Sequence, residues 1–315
     1  MLIATLPPVD QEDLAEKIVS HPLIGAVRYN TGYETDYPPP EILSRVFRLT
    51  ERYGKKLWID LEGRQLRVEN WSWPRYGGRI ELNRELEINL PAEINFRGDP
   101  TWYAVKIAHG KSVYLKINPK KAIGRGQTVN IRADGWKEKN GYLKPADREY
   151  LEAALTLGIS SFFLSFVESD HDLTEMLMEI FRHRSGEDAK GEIELTAKIE
   201  SQKALAWLGQ VEDGVIGYSL MAARDDLFTN LCADKAAMIA AQELIIGKDP
   251  EAILASRIFS GLEKEGGLTM GDLADIRLAA LMGYKNFMLS DGISHYHFDE
   301  AMAAWENCQI LLERR

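Results

Sequence analysis

Short apolar runs alternate with longer stretches whose apolar residues recur every three to four positions, and this alternation predicts strands followed by helices. "LIATL" (2–6) leads into the helical "DQEDLAEKIVS". "LIGAVRYN" (23–30) leads into "PPEILSRVFRLTERYG" (39–54), and "KKLWIDLEG" (55–63) follows. Helix periodicity then lapses from about Arg67 to Asn140. That stretch carries Gly, Asn, Pro and Trp among "GRIELN", "LEINLP", "WYAVKIA", "SVYLKIN" and "QTVNIRA", which reads as a small all-β unit. Its "WSWPRYGG" (71–78) reads as an aromatic anchor for the unit's own core.

The alternation resumes with helix 145–158, strand "SSFFLSF" (160–166), helix 169–184 and strand "EIELTAKIE" (192–200). Further strands are expected at 214–222, 252–256 and 285–290, with helices at 233–247, 270–283 and from 298 onward. Eight strands outside the β-rich stretch predict a (β/α)8 TIM barrel over 1–66 and 141–315, with an all-β domain (67–140) inserted after strand 3. An open doubly wound sheet is the alternative, but no glycine-rich phosphate turn follows the first strand.

In such a barrel the C-terminal strand ends share one mouth, where the chemistry of the fold resides. Those ends carry Arg28 and Asn30, Asp60, Ser165, Lys198 and Glu200, Arg224 with Asp225 and Asp226, Ser256 with Arg257, and Ser290 with Asp291. Residues i and i+2 of a strand point to one face, so "TAKIES" sets Lys198 and Glu200 side by side. Ionisable groups at nearly every strand exit are costly to bury without a use, which favours a functional cleft over a surface ion pair.

The chain has 315 residues, a formal net charge of −10 and a pI near 5.3, which argue against nucleic acid or an anionic membrane as partner. Cys232 and Cys308 lie in no metal-ligand spacing, and no segment reads as a leader or a membrane span, so a reducing cytoplasmic location is expected. Met176, Met178, Met282 and Met288 read as core filler, and "HYH" (295–297) as a solvated approach to the last helix.

With these residues in view, the chain resembles the pyruvate kinase family. "VRYNTGYE" (27–34) is similar to the family's V-R-L-N-F-S-H-G, "DLEGRQLR" (60–67) to D-T-K-G-P-E-I-R, and "FLSF" (163–166) to F-A-S-F. "AKIE" (197–200) matches S-K-I-E, "ARDDL" (223–227) A-R-G-D-L, "ASRIF" (255–259) A-T-Q-M-L, and "FMLSDG" (287–292) I-M-L-S-G-E, all in the family's order. The break near Arg67 falls where that family inserts its B domain. The resemblance implies a divalent-metal-dependent phosphotransferase for phosphoenolpyruvate and pyruvate. Mg²⁺ or Mn²⁺ would sit on Glu200 and Asp226, with Lys198 and Arg28 on the transferring phosphoryl group or enolate and Ser256 relaying a proton. It also implies substrate contacts at Arg224, Asp225 and Ser256, and a nucleotide or monovalent-cation region at Asn30, Asp60 and Arg67.

The partners so implied are a small anionic metabolite, with ADP or ATP as the second substrate, and a homo-oligomer is compatible with the family. Departures modify this picture. Gly32 and Leu61 replace two residues of the monovalent-cation site, so K⁺ is not expected to be required. Tyr33 replaces a histidine of the nucleotide region, and Asp225 replaces a glycine beside the substrate carboxylate, where Arg224 or Arg257 must compensate its charge. The register leaves either Asp225 or Asp226 as the metal ligand. No counterpart of the family's C-terminal domain follows, which implies no inherited effector control. Two other readings remain open: a metal-dependent oxo-acid lyase or aldolase, and a non-catalytic ligand-binding protein.

Overall fold

The computed structural model describes residues 1–71, 78–183, 192–212, 217–231 and 234–313. The chain forms two compact units, Met1–Glu62 with Pro145–Arg315, and Gly63–Lys144. The first begins β1 (Leu2–Thr5), α1 (Glu12–Ser20), β2 (Ala26–Asn30), α2 (Pro39–Arg52) and β3 (Lys56–Leu61). The chain then passes through the second unit: β4 (Leu66–Trp71), β5 (Arg79–Glu87), β6 (Ala92–Phe96), β7 (Trp102–Leu115), β8 (Thr128–Ala133) and β9 (Lys137–Glu138). It returns as α3 (Pro145–Thr156), β10 (Ser161–Leu164), α4 (Asp170–His183), β11 (Glu194–Ile199), α5 (Gln202–Leu208), β12 (Ser219–Ala223) and α6 (Arg224–Asn230). It ends as α7 (Ala237–Lys248), β13 (Ile253–Ala255), α8 (Ser260–Glu265), α9 (Met270–Met282), β14 (Asn286–Met288), α10 (Asp291–Tyr296) and α11 (Phe298–Glu313).

In the first unit the eight parallel strands close in the order β1-β14-β13-β12-β11-β10-β3-β2, which is the expected TIM barrel. Strand alternation explains its interior. Ile3, Ala26, Trp58, Phe163, Met221, Ile253 and Met288 form a buried apolar layer, with the Trp58 and Phe163 rings stacked 4.4 Å apart. Two residues further along five of these strands the same face carries Thr5, Arg28, Asp60, Ser165 and Ser290, while Ala223 and Ala255 extend the apolar cluster on β12 and β13. The apolar layer thus forms the floor, and the polar layer lies toward the C-terminal ends.

The second unit is antiparallel throughout, ordered β4-β8-β6-β7-β5-β9 and closed by a further β4–β5 pairing. Alternation along its strands buries Ile80, Leu82, Ile94, Phe96, Val105, Val113, Val129 and Ile131 in one core. Residues 72–77 of its aromatic run, and 214–216 of the sixth expected barrel strand, lie outside the described residues.

Short helices were not legible in the hydrophobic pattern: α6, α8 and α10 span seven, six and six residues, too few for a periodic stripe. The "HYH" run is corrected accordingly. His295 belongs to α10 and its ring lies 6.2 Å from that of Tyr33, with Nε2 buried and without a hydrogen bond. The methionines are corrected in part. Met176 and Met288 are core, whereas Met178 is exposed, and Met282 lines an open groove with Ile239, Leu278 and Leu281.

Candidate active site at the barrel mouth

Four neighbouring strands bring five of the expected residues into one network. Arg28 lies in the middle of β2, Asp60 is the penultimate residue of β3, Ser165 follows β10, Lys198 lies in β11 and Glu200 directly follows it. The Lys198 ammonium donates to Ser165 Oγ (2.8 Å) and to both Asp60 oxygens (3.2 and 3.3 Å), and lies 3.2 Å from Glu200 Oε1. Ser165 Oγ donates to Asp60 Oδ1 at 3.1 Å. On the other side Arg28 Nε donates to Asp60 Oδ2 (2.6 Å). Asp60 is therefore shared by two cations.

Arg28 is held from a third direction. Its Nη1 donates to Thr5 Oγ1 (3.1 Å) and to Asp291 Oδ1 (2.7 Å) at the first turn of α10. Glu200 Oε2 accepts from the Phe166 backbone N–H at 2.6 Å, and the Glu200 carbonyl accepts from Asn230 Nδ2. Phe166 reaches that position with φ +53°, a left-handed conformation that costs an aromatic residue about 1–3 kcal/mol and that a charge-assisted hydrogen bond offsets.

The electrostatics follow from burial. Burial alone lowers the Lys198 ammonium, but Asp60 and Glu200 outweigh it and leave its pKa above the ordinary lysine value. The same contest keeps the Arg28 guanidinium charged at any working pH: burial opposes the charge, and Asp60 and Asp291 outweigh it. Burial pushes the Glu200 carboxyl up to about 7; Lys198 pulls it down, while Asp226 and Asp60 add repulsion. Asp226 thus acts on both Lys198 and Glu200 through its charge.

Arg224, Asp225 and Ser256 form a second group. Asp225 faces Arg257 (2.9 Å), whose guanidinium lies over the Phe228 ring, and the Asp225 N–H is received by Ser256 Oγ. Of the two candidate aspartates, Asp226 is the one that bears on Glu200 electrostatically. Arg224 is nearly inaccessible. Its Nε and Nη2 donate to the Ser256 carbonyl and its Nη1 to Asp275 on α9, so it braces the loop after β13. Ser256 Oγ donates to its neighbour's carbonyl, and Ser256, Arg257 and Phe259 all have positive φ. Asn30 Oδ1 accepts from Gly32 N–H in a local turn, and Arg67, in the β-rich unit, donates to Gln65 and Gly126. Thr5 is not legible in the sequence, because a threonine at a strand end carries no signal until its neighbour is known.

A closed eight-stranded parallel barrel, interrupted after its third strand by a β-rich unit and carrying a lysine–carboxylate network at its mouth, has the pyruvate kinase fold. A crystal structure of Cryptosporidium parvum pyruvate kinase superposes with a TM-score of 0.73 at 17% identity, covering 98% of this chain and 69% of that one. A second pyruvate kinase structure from Cryptosporidium parvum gives a TM-score of 0.74 at 16% identity, with 98% and 68% covered. No protein-family model matches the sequence, and no curated protein matches it. The likeness is therefore one of fold. Among the described residues no helix is long and apolar enough to cross a membrane.

Proposed function

We propose that this protein is a pyruvate kinase-like phosphotransferase acting on phosphoenolpyruvate and pyruvate, dependent on a divalent cation and independent of K⁺. The observation that carries this reading is the buried Lys198–Glu200 pair beside Asp60 and Arg28 at the barrel mouth. A lysine and an arginine converging on one cleft suit a reaction whose transition state spreads negative charge over phosphoryl oxygens.

The donor set fits a hard cation. Among the described residues no group of three or more His, Cys, Asp or Glu side chains is arranged to hold a metal; the two carboxylates of this reading are Glu200 and Asp226, the charge of the second raising the pKa of the first. Oxygen ligands with positions left for water and substrate suit Mg²⁺ or Mn²⁺. The raised pKa of Glu200 supports the same assignment, because burial, with repulsion from Asp226 and Asp60, outweighs the pull of Lys198, and a bound cation would relieve that cost. Bound there, the cation would act as a Lewis acid on phosphoryl and enolate oxygens. Lys198 would hold its proton throughout and neutralise the oxyanion; Ser165 and Asp60 would fix its direction.

The partners that follow are a small anionic metabolite and ADP or ATP; Ser256 would have to leave its present carbonyl partner to relay a proton. The test is phosphorus NMR of phosphoenolpyruvate with ADP and Mg²⁺, with and without K⁺, comparing the protein with Lys198→Ala. ATP formed by the intact protein alone, at a rate insensitive to K⁺, is the expected result. Unchanged phosphoenolpyruvate would overturn the phosphotransfer reading and favour oxo-acid lyase chemistry or a binding role.

A further inference from the structure

Arg28 offers its ligands less than its position suggests. Asp60 takes Nε and Asp291 and Thr5 take Nη1, so each of the two forks of the guanidinium has one nitrogen occupied. Nη2 has no hydrogen bond among the described residues. An oxyanion recognised by an arginine fork needs two adjacent nitrogens.

The two carboxylates are not equivalent. Asp60 is 2% exposed and is held at the same time by Lys198 and Ser165, so removing it from Arg28 would disturb a buried network. Asp291 has a side chain 34% exposed and stands at the first turn of α10, so its carboxylate borders water already. When it leaves, Nη1 keeps one hydrogen on Thr5 Oγ1 and frees the other to act with Nη2 as a fork.

We propose that Asp291 is a specificity-determining residue that occupies Arg28 in the place of the incoming oxyanion, as a competitor built into the fold. This rests on the reading of Arg28 as an anion ligand of the site. The charges agree with it: Arg28 and Lys198 face Asp60, Glu200, Asp226 and Asp291, so an anion meets a mouth already rich in carboxylate. Ligands that place a carboxylate or phosphate on both nitrogens displace Asp291, whereas monodentate anions do not. The site therefore discriminates by denticity as well as by charge.

Two measurements on the full chain test this. The first needs no substrate: phenylglyoxal modification of Arg28, followed by peptide mass spectrometry, is expected to be several times faster in Asp291→Asn than in the native protein and unchanged in Asp291→Glu. The second is phosphoenolpyruvate binding with Mg²⁺ and no nucleotide, followed by titration calorimetry, where Asp291→Asn is expected to tighten binding about tenfold through loss of a competing charge-assisted bond. Equal Arg28 reactivity in the three proteins overturns the proposal. So does weaker binding by Asp291→Asn, which would make Asp291 a partner of the ligand. Faster modification and tighter binding without ATP formation would keep the competitor and remove the phosphotransfer reading instead.

Discussion

At the scale of single residues, Lys198 carries the largest energetic consequence. Its ammonium compensates Asp60 and Glu200, both almost wholly buried, so Lys198→Ala leaves Glu200 facing Asp60 without its cation and Asp60 with Arg28 alone. Breaking a buried ion pair from one side costs about 3–5 kcal/mol, and urea unfolding at pH 8 should register a loss of that order along with the loss of activity. Glu200 makes a prediction of the opposite sign. Its carboxyl holds a proton up to about 7 in the fold and releases it near the ordinary value of 4.5 when unfolded. The native state therefore binds more protons between those limits. The stability this contributes is complete below pH 4.5, declines as pH rises, and is gone above pH 7. In the presence of a chelator, unfolding midpoints across pH 4.5 to 8 should show this decline, and Glu200→Gln, which can still accept from Phe166, should flatten it. An equally steep decline in the variant would assign the effect to another group.

At the scale of elements, short segments do the positioning that the sequence pattern did not announce. Ser201 begins α5 by accepting from Ala204 N–H and donating to Glu168, directly after the strand that ends in Glu200. The next brace is α8 against α9. Thr269 and Asp272 form a reciprocal capping box at the start of α9, and Asp272 also accepts from the Gly261 N–H. A methyl group added at Gly261 would collide with the Asp272 carboxylate, Thr269 Cγ2 and the Gly267 carbonyl. Gly261→Ala should therefore destabilise the protein by about 1–3 kcal/mol, as overpacking does, and an unchanged thermal midpoint would contradict the packing described. Regular elements were legible because their period repeats over many residues. The left-handed Phe166 was not, since it depends on Glu200, 34 positions on, and the six-residue α10 is too short to show a period.

At the scale of the molecule, the net charge of −10 conceals an uneven division. Sixteen Lys and Arg and eight Asp and Glu fall between Gly63 and Lys144, a net +8, which leaves −18 on the barrel unit. Whole-chain charge is thus a poor guide to either surface. A compact unit at −18 repels itself, and added salt screens that repulsion. Barrel unfolding followed by circular dichroism should shift to higher temperature between 10 and about 150 mM NaCl, where the screening length falls from roughly 30 to 8 Å. A shift to lower temperature would mean that ion pairs outweigh the repulsion.

The sequence by itself determined the barrel, the point where the β-rich unit interrupts it, and the lysine and glutamate on one face of a strand. Periodicity of two or 3.6 is a local property, and a closed parallel barrel sends every strand end to one side. Only the tertiary structure decided which charges meet. Arg28 and Asp291 are 263 positions apart, Lys198 and Asp60 138. Arg224 meets the Ser256 carbonyl and Asp275, and Asp225 meets Arg257 while its neighbour's charge bears on Glu200. A side chain's partner is fixed by the closure of the barrel and the packing of short helices over its mouth, and neither has a period to read.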